Sequence, residues 1–191
     1  MTLFGIDTRV RDLAEADHLI HELSARLRLP GNAVACTHLV REGGPHIAVS
    51  LWVPPGFEGL WNELTRLSES GSAGVASGTA RCGHPDLAET ASDAAVEHLS
   101  RKGGRAVTYP GAAELTGTVP FRYVLERTAI ERIVVVGGAD EPGEDDLLET
   151  RDHVRPEWRD GELALAVTPV AGGRFAPFEV PDPTPCRAGH R

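Results

Sequence analysis

The run Ile130-Glu131-Arg132-Ile133-Val134-Val135-Val136-Gly137-Gly138 is the strongest strand signal in this 191-residue chain. β-Branched residues suit extended backbone, and a nearly unbroken apolar run marks a strand covered on both faces. Before it, Val119 to Ala129 carries Phe121, Val124, Leu125 and Thr128 at helical spacing, and Arg105 to Tyr109 reads as a short strand. Strand, helix and apolar strand in that order predict a right-handed parallel crossover. A hairpin follows, Glu162 to Pro169 returning through Val170-Ala171-Gly172-Gly173 into Arg174 to Val180.

The first half has a different rhythm. Leu13, Ala16, Ile20, Leu23 and Leu27 recur at helical spacing between Val10 and Leu29, with Asp7 or Thr8 available as a cap. A hairpin then joins Ala33–Val40 to His46–Val53, placing Ile47, Val49, Leu51 and Val53 on one face and His46, Ala48, Ser50 and Trp52 on the other. A second helix carries Phe57, Leu60, Trp61, Leu64 and Leu67, and a third runs from Pro85 to Arg101. The expected class is therefore α/β. A mixed sheet has an N-terminal helix–hairpin–helix half and a C-terminal strand–helix–strand plus hairpin half. The Gly/Ser-rich stretch Ser68 to Gly78 suggests a joint. It divides the chain into a helix–hairpin–helix subdomain (1–70), an α/β subdomain (71–180) and a Pro-rich C-terminal tail (181–191). The 21 glycines and 14 prolines fit many turns and short elements.

Charge and composition exclude several chemistries. Of 19 basic residues only Lys102 is a lysine, in the run Ser100-Arg101-Lys102-Gly103-Gly104 that reads as an exposed helix end. Schiff-base, PLP and phosphate-loop chemistry therefore have no candidate lysine. A net charge of −9 and an aromatic content of 5% argue against a nucleic-acid partner. No window approaches 18 apolar residues, so no membrane partner is expected. Met1 to Asp7 lacks the basic start and apolar run of a signal peptide, and three cysteines do not build a disulfide framework. A cytoplasmic home is the expectation.

Each cysteine is followed closely by a histidine, and thiolate and imidazole are the ligands zinc prefers. Cys36 and His38 share a strand face roughly 7 Å apart. If the hairpin register is symmetric about Glu42, His46 lies opposite His38, and Cys36, His38 and His46 form a three-ligand site with an open position. Cys82 and His84 pair in turn with Cys186 and His190 as a four-ligand structural clamp for the tail. The bland reading of the first set is a small buried cysteine with two histidines on a half-exposed sheet face. For the second, it is that Cys82 and His84 merely precede a helix while residues 181–191 stay mobile. Cys82 with His84 also permits a nucleophile pair at a helix N-terminus, with no third residue to orient it.

Weaker signals lie elsewhere. Gly71, Gly74 and Gly78 faintly suggest a phosphate-binding turn without its lysine. Asp140, Glu141, Glu144, Asp145, Asp146 and Glu149 either hold Mg²⁺ beyond the apolar strand or start a short helix reaching His153. His18 and His21, with Asp17 and Glu22, read as a hydrated helix face. His98 falls among Leu87, Ala91, Ala94 and Ala95 on an apolar stripe, where a histidine is usually a hydrogen-bonded core residue.

Residues 106–139 locally resemble the strand–helix–strand segment of isochorismatase-like hydrolases, through Gly117-Thr118 before the helix and Ile130 before an apolar strand. Met1 to Asp7 loosely resembles the first strand of that family, which ends in aspartate. The lysine and nucleophilic cysteine that the resemblance implies have no counterpart. Thr108 stands near the lysine's place, and residues 137–150 contain no cysteine. Cytidine-deaminase-like zinc chemistry lacks its His-x-Glu and Cys-x-x-Cys. The leading expectation is a protein with a Cys/His zinc site that binds or transforms a small ligand in a cleft beside the sheet. The alternative is a non-catalytic protein-interaction module without metal, docking a protein partner on the Trp52 and Trp61 region or the Pro-rich tail.

Overall fold

The chain opens on a strand that the sequence pattern conceals. In a computed structural model describing residues 2–41, 43–57, 59–69, 71–137 and 142–181, β1 (Thr2–Val10) pairs antiparallel with β3 (His46–Val53). α1 (Leu13–Arg26) follows, capped by Asp12, whose side chain accepts from Glu15 N at 2.8 Å. Asp7, expected as a cap, lies inside β1 instead. Ala16, Ile20 and Leu23 form the buried stripe of α1. The hairpin of β2 (Val34–Val40) and β3 forms from the expected strands, but its register runs from Val34↔Trp52 to Val40↔His46, two residues from the one symmetric about Glu42.

α2 (Leu60–Ser68) leads into β4 (Gly74–Ser77) and β5 (Ala80–Gly83). β4 pairs with β1, Ile6↔Val75 and Asp7↔Gly74, so the Gly/Ser stretch supplies a strand where a joint was expected. Its small residues serve close packing, which a joint would not need. α3 (Pro85–Ser100) starts with proline in its first turn and stops at Arg101, whose φ of 51° is left-handed.

β6 (Arg105–Thr108), β7 (Thr118–Pro120), α4 (Phe121–Arg127), β8 (Arg132–Val135), β9 (Leu147–Glu149), β10 (Glu157–Arg159), β11 (Glu162–Val170) and β12 (Arg174–Pro177) complete the described fold. The sheet order is β5-β4-β1-β3-β2-β6-β10-β11-β12-β9-β7, with β8 beside β11. It is mixed and mostly antiparallel; β8 with β11 and β9 with β12 are the parallel pairs. The α/β mixed-sheet class holds. Strands from residues 1–70 and 71–180 meet in this one sheet, where β1 pairs with β4 and β2 with β6.

The expected crossover from β6 to β8 does not form. β6 lies between β2 and β10, antiparallel to both, and the partner of β8 is β11. β8 is short and only half-buried, with β11 as its strand partner among the described residues, and its Arg132 pairs with Glu162 at 3.1 Å. The described part of the acidic stretch also differs from expectation, forming β9 rather than a helix. Its Asp146 and Glu144 carbonyls accept from Phe121 N at 3.0 Å and Arg122 N at 2.9 Å, satisfying free donors at the start of α4.

Alternation along β1, β2 and β3 divides the core into two layers. Phe4, Ile6, Ala35, Val49, Leu51 and Val53 pack with Ile20 and Leu23 of α1 and Leu60 and Leu64 of α2. Cys36 and Val34, on the other face, join Trp158, Leu163, Leu165, Phe121 and Ile130 of the C-terminal half. That second face also carries His38, His46 and Ser50.

Candidate functional site

α3 lies unusually close to the sheet, and two glycines make this possible. A Cβ at Gly5 would overlap the Ala91 carbonyl, and one at Gly74 would overlap the backbone of Leu87 and Ala88. With Ala48 and Ala76 beneath and Ala88, Ala91 and Ala95 above, the interface has little room for large side chains. Polar side chains on the same face are thereby cut off from water and bond to one another.

At one end of α3, His46 and Asp7 form a buried pair. Asp7 is 0% exposed and accepts from Arg9 N at 2.7 Å, from His46 Nε2 at 2.7 Å and from the Thr90 hydroxyl. The other ring nitrogen of His46 meets the Gly44 carbonyl at 2.8 Å. Both nitrogens face acceptors, so an imidazolium–carboxylate pair satisfies every bond.

At the other end a chain of four groups runs under the helix. Glu97 Oε2 accepts from His38 Nδ1 at 2.6 Å; His38 Nε2 meets Ser50 Oγ at 2.7 Å; Ser50 Oγ meets His98 Nδ1 at 2.7 Å. His38, Ser50 and His98 are buried, while the Glu97 side chain is 47% exposed. The His38 hydrogen bond holds the Glu97 carboxyl below its usual range. Desolvation, then the charges of His38 and Arg101, hold His98 down to about 3, so it is neutral near pH 7. Gly104, at φ +108°, leaves room for the His38 ring: a Cβ there would lie 2.7 Å from its Cε1.

Two clefts walled by Trp158 flank this chain, and a third, lined in part by Asp93, also reaches His38 and Glu97. The larger, of about 750 Å³, has apolar walls that include Trp52, Leu99 and Leu125, with Asn32, His98, Arg101, Thr128 and Glu131 as polar groups. Its size suits a small organic molecule. The Arg101 guanidinium stacks on Trp158 at 4.6 Å from the ring centre. The smaller cleft, about 530 Å³, holds His38, Glu97, Lys102 and Glu157.

The zinc ligands expected at Cys36, His38 and His46 do not converge. The hairpin sets His46 opposite Val40 and His38 opposite Ala48, which carries His46 away to Asp7 on β1. His38 is committed to Glu97 and Ser50, and burial pushes the Cys36 thiol far above physiological pH. Cys82 sits half-buried in β5 with Ser68 Oγ at 3.3 Å, and His84 is exposed before α3. Cys186 and His190 lie outside the described residues, as do Asp140 and Glu141. Among the described residues, no group of three His, Cys, Asp or Glu side chains is placed to hold a metal.

Other expectations fare unevenly. Asp145 pairs with Arg122, Asp146 accepts from Gly143 N at 2.8 Å, and Glu149 pairs with Arg174 at 2.7 Å, so these carboxylates are already engaged. His18 pairs with Glu22 on the exposed side of α1. Trp52 and Trp61 pack against different core layers and form no common surface. His98 is a hydrogen-bonded core residue, as its position on an apolar stripe suggests. Ser50, Glu97, Asp7, Arg101 and Trp158 escaped sequence reasoning. A hydroxyl on a strand otherwise buried on both faces was the available signal for Ser50.

Comparison with protein-family models, with curated proteins and with solved structures finds no match to this chain. Among the described residues, no helix is long and apolar enough to cross a membrane.

Proposed function

We propose that the chain binds a small molecule with an apolar, planar body and an acidic group in the larger cleft. The observation that carries this reading is the pairing of aromatic and aliphatic walls with one cation. Trp52, Trp158, Leu99 and Leu125 offer apolar surface, and Arg101, which makes no ion pair among the described residues, stands at its edge. An anion beside a guanidinium in an apolar recess gains more than it does in water. Asn32, His98 and Thr128 supply further polar groups, and the Glu131 carboxylate, which also lines the cleft, accepts from Leu163 N at 2.9 Å.

The test uses 8-anilinonaphthalene-1-sulfonate, an aromatic body with a fixed negative charge. Saturable one-to-one binding to the folded chain, with quenching of tryptophan emission, is expected. Leu125, 38% exposed at the rim, can accept a carboxylate without disturbing the core. Leu125→Glu and Arg101→Gln should each weaken binding about tenfold, the effect of roughly 1.4 kcal/mol. Binding that is non-saturable, or indifferent to both substitutions, would sink the proposal.

A further inference from the structure

With Glu97 ionised and His98 held neutral by its burial, the chain Glu97–His38–Ser50–His98 can make all of its hydrogen bonds in two ways. Glu97 accepts, so His38 Nδ1 carries a proton in both. The single Ser50 proton can go to one imidazole, and the other imidazole must then donate to Ser50 Oγ. In the first arrangement Ser50 donates to His38 Nε2, His98 donates from Nδ1, and His98 Nε2 is bare. In the second, His38 is an imidazolium donating from Nε2, Ser50 donates to His98 Nδ1, and His98 Nε2 carries hydrogen. The two differ by one proton.

That proton has an entrance. His98 lines the larger cleft while Ser50 does not, and Ser50 occupies Nδ1. Among the described residues no partner is bonded to Nε2. The charge has a separate destination, since His38 and Glu97 line the smaller cleft on the other side of Trp158.

We propose that His98 Nε2 accepts a proton from a weakly acidic O–H or N–H group of a molecule in the larger cleft, while Ser50 and His38 carry the charge to Glu97. The step balances. The ligand X–H bond breaks, its electron pair stays on the ligand, and an Nε2–H bond forms. The Nδ1 proton passes to Ser50 Oγ as the Ser50 proton passes to His38 Nε2. The products are a ligand anion facing Arg101 and a His38 imidazolium facing Glu97. His98 remains neutral at both ends of the step, in keeping with the burial that holds it down to about 3. The other charged groups lining the clefts are Glu131 on the His98 side, and Arg41, Asp93, Lys102, Arg105, Glu157, Arg159 and Glu179 on the His38 side. The buried Cys36 thiol stays uncharged.

The inference rests on the ligand reading of the cleft, but its core can be measured without a ligand. Nitrogen NMR of the histidine rings in the full chain follows each tautomer across pH, with His98→Asn assigning the His98 signals. As His38 charges, His98 should switch from Nδ1–H to Nε2–H at the same midpoint and stay neutral through that transition. Ser50→Ala should uncouple the two events. Glu97→Gln, at a half-exposed position that tolerates change, should lower the shared midpoint by about 1–3 pH units. A wild-type His98 that charges itself or keeps its tautomer while His38 charges overturns the relay. An unmoved midpoint in Glu97→Gln removes Glu97 as its anchor. Saturating anilinonaphthalenesulfonate should shift the His98 Nε2 resonance and leave His46 in place; bound dye with no shift at His98 overturns the entrance. Dye that fails to bind counts against the cleft reading, while the coupled titration still decides the relay.

Discussion

The two faces of β3 come from one alternating run and are finished in opposite ways. Val49, Leu51 and Val53 meet α1 and α2 in an apolar layer, whereas His46, Ala48 and Ser50 meet α3 through imidazoles, a hydroxyl and carboxylates. Burial does not distinguish them, since Val49, Leu51, Ala48 and Ser50 are all 0% exposed. The difference lies in what each face loses when one member is removed. An apolar layer loses transfer and packing energy in proportion to the atoms deleted. A satisfied polar layer gains only about 1 kcal/mol net per bond, yet leaves a costly orphan when one partner goes. An apolar layer would stabilise the fold at least as well, which makes the polar face the place to look for chemistry.

The largest effect should come from breaking the buried ion pair. Asp7→Ala strands His46, Arg9 N and the Thr90 hydroxyl together, and should cost about 3–5 kcal/mol in urea unfolding. Replacing both Asp7 and His46 by leucine should recover much of that loss, because no charge is left buried. A loss below about 1 kcal/mol for Asp7→Ala would mean the pair is hydrated, and the contrast between the faces would fail.

Leu51→Ala is the control on the dry face. It should cost about 2–5 kcal/mol, with the spread set by how far α1 and α2 close the gap. Dye affinity and the His98 tautomer switch should stay as they are, since the β-sheet separates Leu51 from both clefts. If Leu51→Ala moves the switch at temperatures where the chain is folded, the two faces are coupled and the comparison must be redrawn.

The sequence shows which face each of these residues occupies, but not how far along the next strand its partner lies. The limits of β2 and β3 were legible almost to the residue, though their register was not, and the placement of Ser50 with His46 and of Leu51 with Val49 followed from alternation alone. β1 was hidden because Gly5 and Asp7 interrupt its apolar pattern. Those residues are what α3 and His46 require there. His38, His46 and His98 stood out as histidines, but their side-chain partners are 12 to 59 residues away in sequence. No local spacing rule reaches that far. The run Ile130–Gly138 misled for the opposite reason: its apolar residues are clear, but β8 lies half-buried beside β11.

A smaller effect should appear as a slope. The folded pKa of His98 is about 3, below the ordinary value near 6.5 that it regains on unfolding. Above about pH 6.5 it is neutral in both states and contributes no pH dependence. As pH falls below that, the unfolded chain binds a proton that the folded chain refuses. Stability then drops by up to about 1.4 kcal/mol per pH unit until the folded group titrates. His98→Asn keeps a polar group towards Ser50 and removes this slope. Between pH 7 and pH 5 the wild type should lose roughly 2 kcal/mol more than the variant. The lowered Glu97 carboxyl acts in the same direction only at lower pH, so it does not mask the difference. Parallel stability curves would show that His98 is not held neutral by burial.

The smallest effect concerns metal. Each imidazole on the polar face is bonded to a protein group, and the Cys36 thiol is kept protonated by burial, so no open ligand set remains there. Chelation of protein purified without added metal should therefore change neither the dye affinity nor the His98 tautomer switch. Elemental analysis sharpens the result by locating any zinc that is present. Stoichiometric zinc lost in Cys36→Ser would show that β2 and β3 rearrange around an ion, and would undo the hydrogen-bonded reading of this face. Zinc kept in Cys36→Ser but lost in Cys82→Ser and Cys186→Ser would place it at Cys82, His84, Cys186 and His190. Such an ion would pin the C-terminus beside β5, and the polar layer under α3 would still owe its order to hydrogen bonds alone.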